Sequence, residues 1–325
     1  MKVGILGAGN IARAHAACMK QACPDVELAG ASDIVPSRAK VFGHEFGIRS
    51  FESNAALLDT DVDAVFVCSN PAAHKACVLE SLSAGKHVFC EKPLALTLDE
   101  GLEIARAVEA SGRLFMLGYL FHHSRVANRI KSLVDSGGLG AVSAAWSQRF
   151  GYFAPPPGSW YADPAEGGIL DLCTHDIEFL CWWCGRPRSV SATAVTVHPS
   201  ITCVDTVNIA MEFAQGMGTV LSSWASPRSV TNIGVSGTKG TAVFTIEGES
   251  ASVAVTFNGK AEAVEEQENP ADAMAAEQRA FFDAIRTGHA PSPGIAEGLV
   301  AIEVHEAAQR SWTTGARTFL SIQGE

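Results

Sequence analysis

The chain has 325 residues, enough for two domains that each bury a core, and its hydrophobic fraction of 47% is typical of globular proteins. Asp and Glu number 35 against 24 Lys and Arg, and the net charge of −11 argues against a nucleic-acid partner. No apolar run approaches the roughly 18 residues that cross a membrane. Because no targeting segment precedes the first predicted strand, we expect a cytoplasmic protein without a membrane partner.

The nine cysteines are an odd number scattered through segments that look buried or helical, which suits reduced thiols. Cys181 and Cys184 have the spacing of a redox or zinc motif. No second pair of this kind accompanies them, and two tryptophans lie between them. The pattern therefore favours packing of a helical turn over redox or metal chemistry.

The first apolar run ends in a glycine-rich turn and passes directly into a helical pattern. The spacing Gly7-x-Gly9-x-x-Ala12 matches a dinucleotide-binding fingerprint. In such a turn the first glycine permits the sharp bend, the second admits a pyrophosphate, and the third small residue lets the helix lie close to the strand. Free N–H groups at the helix N-terminus would bind the pyrophosphate. The predicted cofactor-binding residues of this turn are Gly7, Gly9, Asn10, Ile11 and Ala12.

A second apolar run ends at Asp33, about 20 residues after the fingerprint, where an acid is expected to accept hydrogen bonds from ribose hydroxyls. A carboxylate at this place repels the 2′-phosphate of NADP, so the sequence favours NAD. Arg38 lies close enough to accommodate that phosphate, which keeps NADP possible. The alternative for Asp33 is a solvated aspartate in a turn.

Up to about residue 119, short apolar runs alternate with helical patterns. The predicted helices cover residues 12–21, 36–46, 74–83 and 97–110, and the predicted strands after the first cover 26–32, 64–68, 87–90 and 114–117. This alternation indicates an α/β domain with a parallel sheet covered on both faces. Ligands of such sheets bind beyond the carboxyl ends of the strands. The residues predicted to contact the cofactor there, besides those above, are Ser69, Asn70, Pro71, His74, Glu91 and Lys92, and Tyr119 and His122 follow the last strand at the same edge.

After residue 120 the pattern changes from alternation to a succession of strands. Strands are predicted over residues 141–150, 190–197, 204–213, 217–224, 232–236, 242–247 and 252–257, and helices over 125–136, 169–183, 271–287 and 295–311. Several strands with little helix between them indicate an α+β domain with a mostly antiparallel sheet and helices on one face. We therefore expect two domains, residues 1–120 and residues 121–325.

Glu91-Lys92-Pro93 follows a predicted strand at the ligand-binding edge of the sheet. Proline restricts the residue before it to extended conformations and allows a cis peptide bond, which would direct Lys92 into the crevice. A lysine beside a bound nicotinamide could polarise a substrate oxygen. The alternative is that Glu91 and Lys92 form a neutralised pair on the surface.

Asp171 and His175 stand four residues apart on a predicted apolar helix, hence on one face of it. Histidine has the pKa best suited to accept a proton near neutral pH, and a nearby aspartate can orient it. The alternative is a buried histidine satisfied by its neighbour. Asp171, His175 and Glu178 could together bind a metal ion, but no motif supplies a further ligand, and we predict no metal.

The sequence resembles the Gfo/Idh/MocA oxidoreductases over nearly its whole length. The resemblance is carried by Gly7-Ala8-Gly9-Asn10-Ile11-Ala12, by Ser69-Asn70-Pro71 with His74, by Ala84-Gly85-Lys86-His87-Val88 leading into Glu91-Lys92-Pro93, and by Gly167-Gly168-x-x-Asp171-x-x-x-His175. It implies an N-terminal Rossmann domain that binds NAD or NADP and a C-terminal domain with a large, open, mostly antiparallel sheet. It also implies a homodimer or homotetramer formed through that sheet.

The resemblance further implies roles for three residues in the oxidation of a secondary alcohol of a sugar, sugar derivative or inositol. His175 would remove the hydroxyl proton, Lys92 would hold the alcohol oxygen, and Asp171 would position His175. Many relatives have an arginine pair after the strand ending at residue 118, and this chain does not, so substrate recognition is carried by other residues. The predicted substrate-binding residues are Tyr119, His122, Arg149, Tyr152, Trp160 and Thr174, with Tyr161 beside them.

Three alternatives to this function stay open at the level of the sequence. One is an enzyme that cleaves glycosides by transient oxidation with tightly held NAD. Another is a nucleotide-sugar dehydrogenase, suggested by residues 224–228 followed by residues 237–240. The third, a nucleotide-binding sensor without catalysis, would need only the cofactor loops, so the additional lysine, aspartate and histidine argue against it.

Overall fold

The structure is a computed structural model that describes residues 1–156, 159–162, 169–248, 250–257 and 260–320, without the side chains of residues 169–172 and 260–266. The chain divides into two compact units. Unit 1 consists of Met1–His123 and Ala271–Leu299, and unit 2 consists of Ser124–Pro270 and Val300–Glu325. The chain thus returns to unit 1 after completing most of unit 2. The separate roles predicted for residues 1–120 and 121–325 stay predictions.

Unit 1 is built on a six-stranded parallel sheet, as the alternation of strands and helices predicted. Its strands are β1 (Lys2–Leu6), β2 (Glu27–Ser32), β3 (Arg49–Phe51), β4 (Ala64–Val67), β5 (His87–Glu91) and β6 (Phe115–Gly118). The order across the sheet is β3-β2-β1-β4-β5-β6, and all neighbours are parallel. The strands contain almost only apolar residues because helices cover both faces of such a sheet.

Five helices connect these strands. They are α1 (Asn10–Ala22), α2 (Pro36–Phe46), α3 (Asn54–Leu58), α4 (Pro71–Ser83) and α5 (Leu98–Ser111), followed by a 3₁₀ turn at Leu120–His123. Helix α5 begins where the capping box predicted it, because the Thr97 hydroxyl accepts a hydrogen bond from the Glu100 N–H at 3.3 Å. Strand β3 and helix α3 were missed because each is too short to show a period.

The strand order reverses direction between β1 and β4. Connections from β1 run to β2 on one side, whereas later connections run to β4 and beyond on the other, which opens a crevice at the carboxyl ends. Backbone hydrogen bonds hold these ends in line: Gly7 N–H donates to Ser32 O at 2.8 Å, and Cys68 N–H donates to Leu6 O at 2.7 Å. The glycine-rich turn therefore lies at the crevice, as the fingerprint requires.

The aromatic core of unit 1 includes a helix from the far end of the chain. The rings of Phe66 and Phe89 stack with centroids 4.4 Å apart, and both contact the ring of Phe281 edge-on. Phe281 lies on helix α8 (Pro270–Thr287). Helix α8 was predicted from its period, but nothing local in the sequence indicated that it would complete the first core.

The described part of unit 2 is built on a nine-stranded sheet. Its strands are β7 (Val142–Tyr152), β8 (Ser189–Val195), β9 (Thr206–Glu212), β10 (Met217–Ser223), β11 (Ala225–Gly237), β12 (Gly240–Glu247), β13 (Ser250–Phe257), β14 (Lys260–Glu268) and β15 (Thr318–Phe319). The order is β14-β13-β12-β11-β7-β10-β9-β8-β15, with β7 and β10 parallel and all other neighbours antiparallel. The predicted mostly antiparallel sheet is confirmed. Strand β14 was missed because its charged sequence lacks an apolar face, and β15 because it has two residues.

Helices α6 (Arg125–Asp135) and α7 (Ile169–Cys184) pack against this sheet, and α9 (Ile295–Thr314) precedes β15. The rings of Phe179 on α7 and Phe244 on β12 lie 5.7 Å apart. Inward-facing residues of the central strands are buried at every second position, the alternation expected of a sheet with one covered face. Over the described residues, no helix is both long enough and apolar enough to cross a membrane.

Candidate active site

The turn after β1 has the geometry that a pyrophosphate requires. Gly7 has φ +96°, and a Cβ there would lie 2.6 Å from the Ser69 backbone nitrogen, so only glycine fits. A Cβ on Gly9, by contrast, would meet no protein atom within 4 Å. Helix α1 begins immediately afterwards with no side-chain cap and no acidic residue in its first turn. Its first N–H groups therefore suit an anion, and the empty space at Gly9 is where a phosphate can approach them.

The exposures of the other fingerprint residues agree with this arrangement. Asn10 and Ile11 are exposed at the start of α1, whereas Ala12 is completely buried against the sheet. A residue larger than Ala12 would push the helix, and its N–H groups, away from the strand.

Asp33 is fixed at the end of β2 by two backbone hydrogen bonds. Its Oδ2 accepts from Ala8 N–H and its Oδ1 from Val35 N–H, both at 2.8 Å, and the residue is 9% exposed. Each oxygen keeps a lone pair, so the carboxylate can still accept hydroxyl donors. It is not the freely solvated turn aspartate considered above. Arg38 is exposed on α2, and a contact between Arg38 and a cofactor phosphate stays a prediction.

Gly7→Ala should mainly lower stability, whereas Gly9→Ala should mainly weaken NADH binding. In Gly7→Ala the strained φ and the backbone clash should lower the free energy of unfolding by about 1–3 kcal/mol. Gly9→Ala should melt like the parent, yet bind NADH about tenfold or more weakly, because its methyl group occupies the space for the phosphate. Thermal unfolding and NADH fluorescence titration measure the two effects. Unchanged NADH affinity in folded Gly9→Ala would contradict this placement of the cofactor.

His74 connects two loops at the crevice. The residue is completely buried, with Nδ1 2.7 Å from Pro93 O and Nε2 3.1 Å from Ser69 O. Both oxygens can only accept, and a neutral imidazole has one N–H, so the ring donates to one of these two loops and lies against the other. Helix α4 begins at Pro71, earlier than predicted, because proline suits the first position of a helix. Direct contacts of Ser69, Asn70, Pro71 and His74 with a cofactor stay predictions.

Glu91 and Lys92 differ sharply in their environments. Glu91 is buried, and its Oε1 lies 2.7 Å from Nε2 of His15, while its Oε2 accepts from Lys92 N–H at 3.2 Å. Burial alone would raise the pKa of Glu91, but the hydrogen bond from His15 and the charges nearby hold this pKa below its ordinary value. Lys92 is partly exposed, and its bond to Pro93 is cis. Glu91 therefore is a buried carboxylate, and the alternative of a neutralised surface pair is wrong.

Tyr119 and His122 follow β6 at the same edge of the sheet. Tyr119 is 1% exposed, whereas His122 lies in the 3₁₀ turn and is partly exposed. Their contacts with substrate stay predictions.

Helix α7 presents one histidine on an otherwise buried stretch. Between Cys173 and Leu180, His175 alone is not buried, and its neighbours Thr174 and Asp176 are 4% and 0% exposed. His175 is therefore partly accessible, and the choice between a proton-transfer role and a histidine satisfied by its neighbour stays a prediction. The side chain of Asp171 lies outside the described residues, so its predicted contact with His175 stays a prediction.

Arg149 is fixed by a buried carboxylate that the sequence did not single out. Asp176 Oδ1 accepts from Arg149 Nε at 3.0 Å and from Nη2 at 2.9 Å, and hydroxyls of Ser147 and Ser222 donate to the same carboxylate at 2.8 and 3.3 Å. The Arg149 side chain is 15% exposed and that of Asp176 is completely buried. A planar, two-point contact of this kind fixes the guanidinium and makes the pair electrically neutral.

The aromatic residues of unit 2 that were predicted to bind substrate, Tyr152, Trp160 and Tyr161, each pack against another ring. Trp160 and Tyr161 stack with centroids 3.7 Å apart, and Tyr161 contacts Phe153 edge-on at 5.3 Å. Tyr152 is 56% exposed and packs edge-on against His198 at 5.0 Å. These rings offer flat apolar faces, while their role in binding stays a prediction.

The cysteine pair of α7 is structural. Burial raises the pKa of the Cys184 thiol to about 12 and that of Cys181 well above its ordinary value, so both thiols keep their protons. Within the described ranges, no three His, Cys, Asp or Glu side chains are grouped so that they could bind a metal ion.

Two polar contacts near the site were missed from the sequence, namely His15 with Glu91 and Asp176 with Arg149. A local signal existed for the first, since His15 falls on the same face of α1 as Ala12, Ala16 and Met19, all buried. A histidine on such a face needs a buried partner. No comparable signal identified Asp176.

Two family models match the chain. Residues 1–119 match the model described as an oxidoreductase family with an NAD-binding Rossmann fold, and residues 127–243 match the GFO/IDH/MocA C-terminal domain. The first match covers the residues of the parallel sheet, and the second covers much of the mostly antiparallel sheet. The first one identifies NAD as the cofactor, in agreement with the open turn at Gly9 and the fixed carboxylate of Asp33.

Individual proteins similar to the chain are oxidoreductases of the same kind. The Bacillus subtilis (strain 168) protein named "Uncharacterized oxidoreductase YrbE" is 29% identical over 74% of this chain and 72% of its own length. An inositol 2-dehydrogenase of Ralstonia nicotianae is 30% identical over 67% of this chain and 65% of its own. The structure of a levoglucosan dehydrogenase with NADH and levoglucosan matches with a TM-score of 0.87 and 21% sequence identity. The match covers 98% of this chain and 99% of the levoglucosan dehydrogenase chain.

The family models, the relatives and the geometry of the nucleotide turn agree. The chain belongs to the GFO/IDH/MocA oxidoreductase family and is an NAD(P)-dependent dehydrogenase that acts on CH–OH groups.

Proposed function

We propose that the protein oxidises a secondary alcohol of a neutral polyol, that is a sugar, a sugar derivative or an inositol. His175 removes the hydroxyl proton, Lys92 holds the alcohol oxygen, and Asp171 orients His175. Bound NAD would supply the acceptor for the hydride of the alcohol carbon. The C–H electron pair leaves with the hydride, the O–H pair forms the carbonyl, and the proton stays on the imidazole.

The observation that carries this proposal is the partial exposure of His175 on a helix whose neighbouring side chains are buried. From Cys173 to Leu180, every described side chain except that of His175 is buried. Burying the other residues fixes the helix, and a fixed helix holds the imidazole in one orientation. A histidine reachable from solvent on a rigid element suits proton transfer to and from a small substrate.

Lys92 supports the proposal from unit 1. It follows β5 directly, at the carboxyl edge where ligands of parallel sheets bind, and it is partly exposed. An ammonium group there supplies three donors and a positive charge. A charge beside the alcohol oxygen stabilises the negative charge that grows on it as the proton leaves.

The charges of unit 2 support a neutral substrate. Arg149 shares its charge with the buried carboxylate of Asp176, so it offers donors without a net positive charge. A uronate or a sugar phosphate would gain little from such a pair. The stacked rings of Trp160 and Tyr161 suit the apolar face of a ring-shaped polyol. The similar proteins named for inositol and levoglucosan fit this class.

A substrate screen tests the proposal. The protein is incubated with NAD or NADP and with myo-inositol, glucose, levoglucosan, glucuronate, UDP-glucose and nitrophenyl glucoside, while reduced nicotinamide and nitrophenol are followed by absorbance. We expect NADH from a neutral polyol, with NAD preferred because of Asp33. Nitrophenol without net NADH would favour the glycoside-cleaving alternative, and selective turnover of UDP-glucose would favour the nucleotide-sugar alternative. Turnover of glucuronate alone would contradict the neutral substrate.

We also propose that the protein is a homodimer or homotetramer formed through the sheet of unit 2, and that it works in the cytoplasm. Met217 on β10 and Val195 on β8, two apolar residues of that sheet, are 63% and 51% exposed. All nine cysteines are unpaired, which suits a reducing compartment. Light scattering during size-exclusion chromatography would measure the oligomeric state.

A further inference from the structure

Three polar side chains from three elements meet inside unit 1, behind the strand that carries Lys92. His15 of α1 and Gln278 of α8 are completely buried, and Glu91 of β5 is 8% exposed. His15 Nε2 lies 2.7 Å from Glu91 Oε1, and Gln278 Nε2 lies 3.0 Å from His15 Nδ1. The same Gln278 nitrogen donates to the His15 backbone oxygen at 3.1 Å. The dehydrogenation mechanism does not use these contacts.

These contacts determine which atom is the donor in each hydrogen bond that joins Gln278, His15 and Glu91. A backbone oxygen only accepts, so the Gln278 atom facing His15 O is the amide nitrogen, which only donates. His15 Nδ1 therefore accepts, and the ring proton lies on Nε2, where it donates to Glu91. The rings of Phe66 and Phe89 pack edge-to-face with the imidazole, with centroids at 5.3 and 5.2 Å, and restrict its rotation.

The Glu91 carboxylate also accepts a hydrogen bond from the main chain of Lys92. Glu91 Oε2 accepts from Lys92 N–H at 3.2 Å, at the point where β5 ends. Gly118 of β6 lies opposite Glu91, and a Cβ there would come within 3.3 Å of Glu91 Oε1. Glycine thus leaves room for the carboxylate. Charge-assisted bonds in a buried setting are stronger than neutral ones, so this contact restrains the peptide group between Glu91 and Lys92.

We propose that Glu91, held by His15 and Gln278, is a positioning residue that fixes the main chain from which Lys92 reaches the reacting oxygen. The inference rests on the proposed role of Lys92. Because Gln278 lies on α8, the return of the chain to unit 1 is what completes this support.

The structure offers a matched control next to the network. Glu277 is 1% exposed, and its Oε1 has no hydrogen-bond partner in the described part of the chain. Burial, and then the charge of Glu91, raise the pKa of Glu277 well above its ordinary value, which favours the uncharged form. Glu277→Gln changes one oxygen to nitrogen in the same region at a carboxyl group that holds no hydrogen bond through Oε1. Glu91→Gln makes the same substitution where the charge and both hydrogen bonds are used.

The experiment compares Glu91→Gln, Glu277→Gln and Lys92→Ala, with NAD and myo-inositol or the polyol turned over fastest in the screen. Glu91→Gln should lower kcat by between about 10-fold and about 100-fold, the scale of a misplaced catalytic group. Its NADH affinity and KM should stay within about twofold of the parent. Hydrogen exchange of the peptide spanning residues 88–95, measured without substrate, should become faster at Lys92. Glu277→Gln should match the parent in all four measurements.

A second pair of variants keeps the test valid if Glu91→Gln does not fold. His15→Gln retains an N–H donor for Glu91, and His15→Leu does not, so kcat should be higher in His15→Gln at equal NADH affinity. Equal kcat in these two variants, or a Glu91→Gln enzyme that matches Glu277→Gln beside an inactive Lys92→Ala, would overturn the inference and leave the proposed function standing. Undiminished turnover of Lys92→Ala would overturn both.

Discussion

Replacing His175 by alanine should lower kcat by about 10²- to 10⁴-fold, the usual contribution of a positioned general base. The residues around His175 on the helix are buried, so the variant should fold like the parent. Its affinity for NADH should change by no more than about twofold. Lys92→Ala should cause a loss of similar size, because the alcohol oxygen then lacks the charge that stabilises it. Steady-state kinetics and NADH fluorescence titration measure both effects.

Exposed residues of the same types provide the controls. Lys40 on α2 and His289 after α8 are exposed, and alanine at either position should leave kcat within about twofold of the parent. The assignment of roles fails if Lys92→Ala and His175→Ala turn over substrate as fast as these controls. Loss of NADH binding in either variant would instead move that residue from the reacting oxygen to the cofactor.

Replacing Arg149 by methionine should lower the free energy of unfolding by about 3–5 kcal/mol. The completely buried carboxylate of Asp176 would keep only the hydroxyls of Ser147 and Ser222 as donors. Asp176→Leu should cost a similar amount, since it leaves a guanidinium that is 15% exposed without its partner. The double variant should be more stable than either single variant, because no buried charge is left unpaired. Urea unfolding measures all three.

An exposed ion pair shows what burial adds. On α9, Arg310 Nη1 lies 3.4 Å from Glu306 Oε2, and 55% of the Arg310 side chain is exposed. Arg310→Met should therefore cost no more than about 1 kcal/mol. An Arg149→Met protein as stable as Arg310→Met would mean that Asp176 does not depend on Arg149, and would remove the argument for a neutral recognition pair.

Local chemistry explains which parts of the fold were predictable from sequence. Helix α2 spans Pro36–Phe46, as predicted, because proline starts it and Gly47 ends it in the left-handed conformation with φ +65°. The capping box at Thr97 and the turn at Gly7 are equally local. Each depends on a few adjacent residues whose side chains or backbone angles leave little choice.

Pairings between distant residues explain what was missed. His15 and Glu91 are 76 positions apart, and Gln278 is 263 positions from His15. Asp176 and Arg149 meet across 27 positions, and only the packing of α7 on β7 brings them together. Period and spacing identify which residues face inward, but they do not identify the partner across a core. The sequence therefore indicated Glu91, Lys92 and Arg149 without indicating their distant partners His15, Gln278 and Asp176.

A crystal structure of the protein with NADH and the best polyol of the screen would show whether Lys92 and His175 contact the same substrate oxygen. We expect Lys92 Nζ and a ring nitrogen of His175 both to lie within about 2.6–3.2 Å of that oxygen. A bound polyol with either group directed away from that oxygen would contradict this expectation.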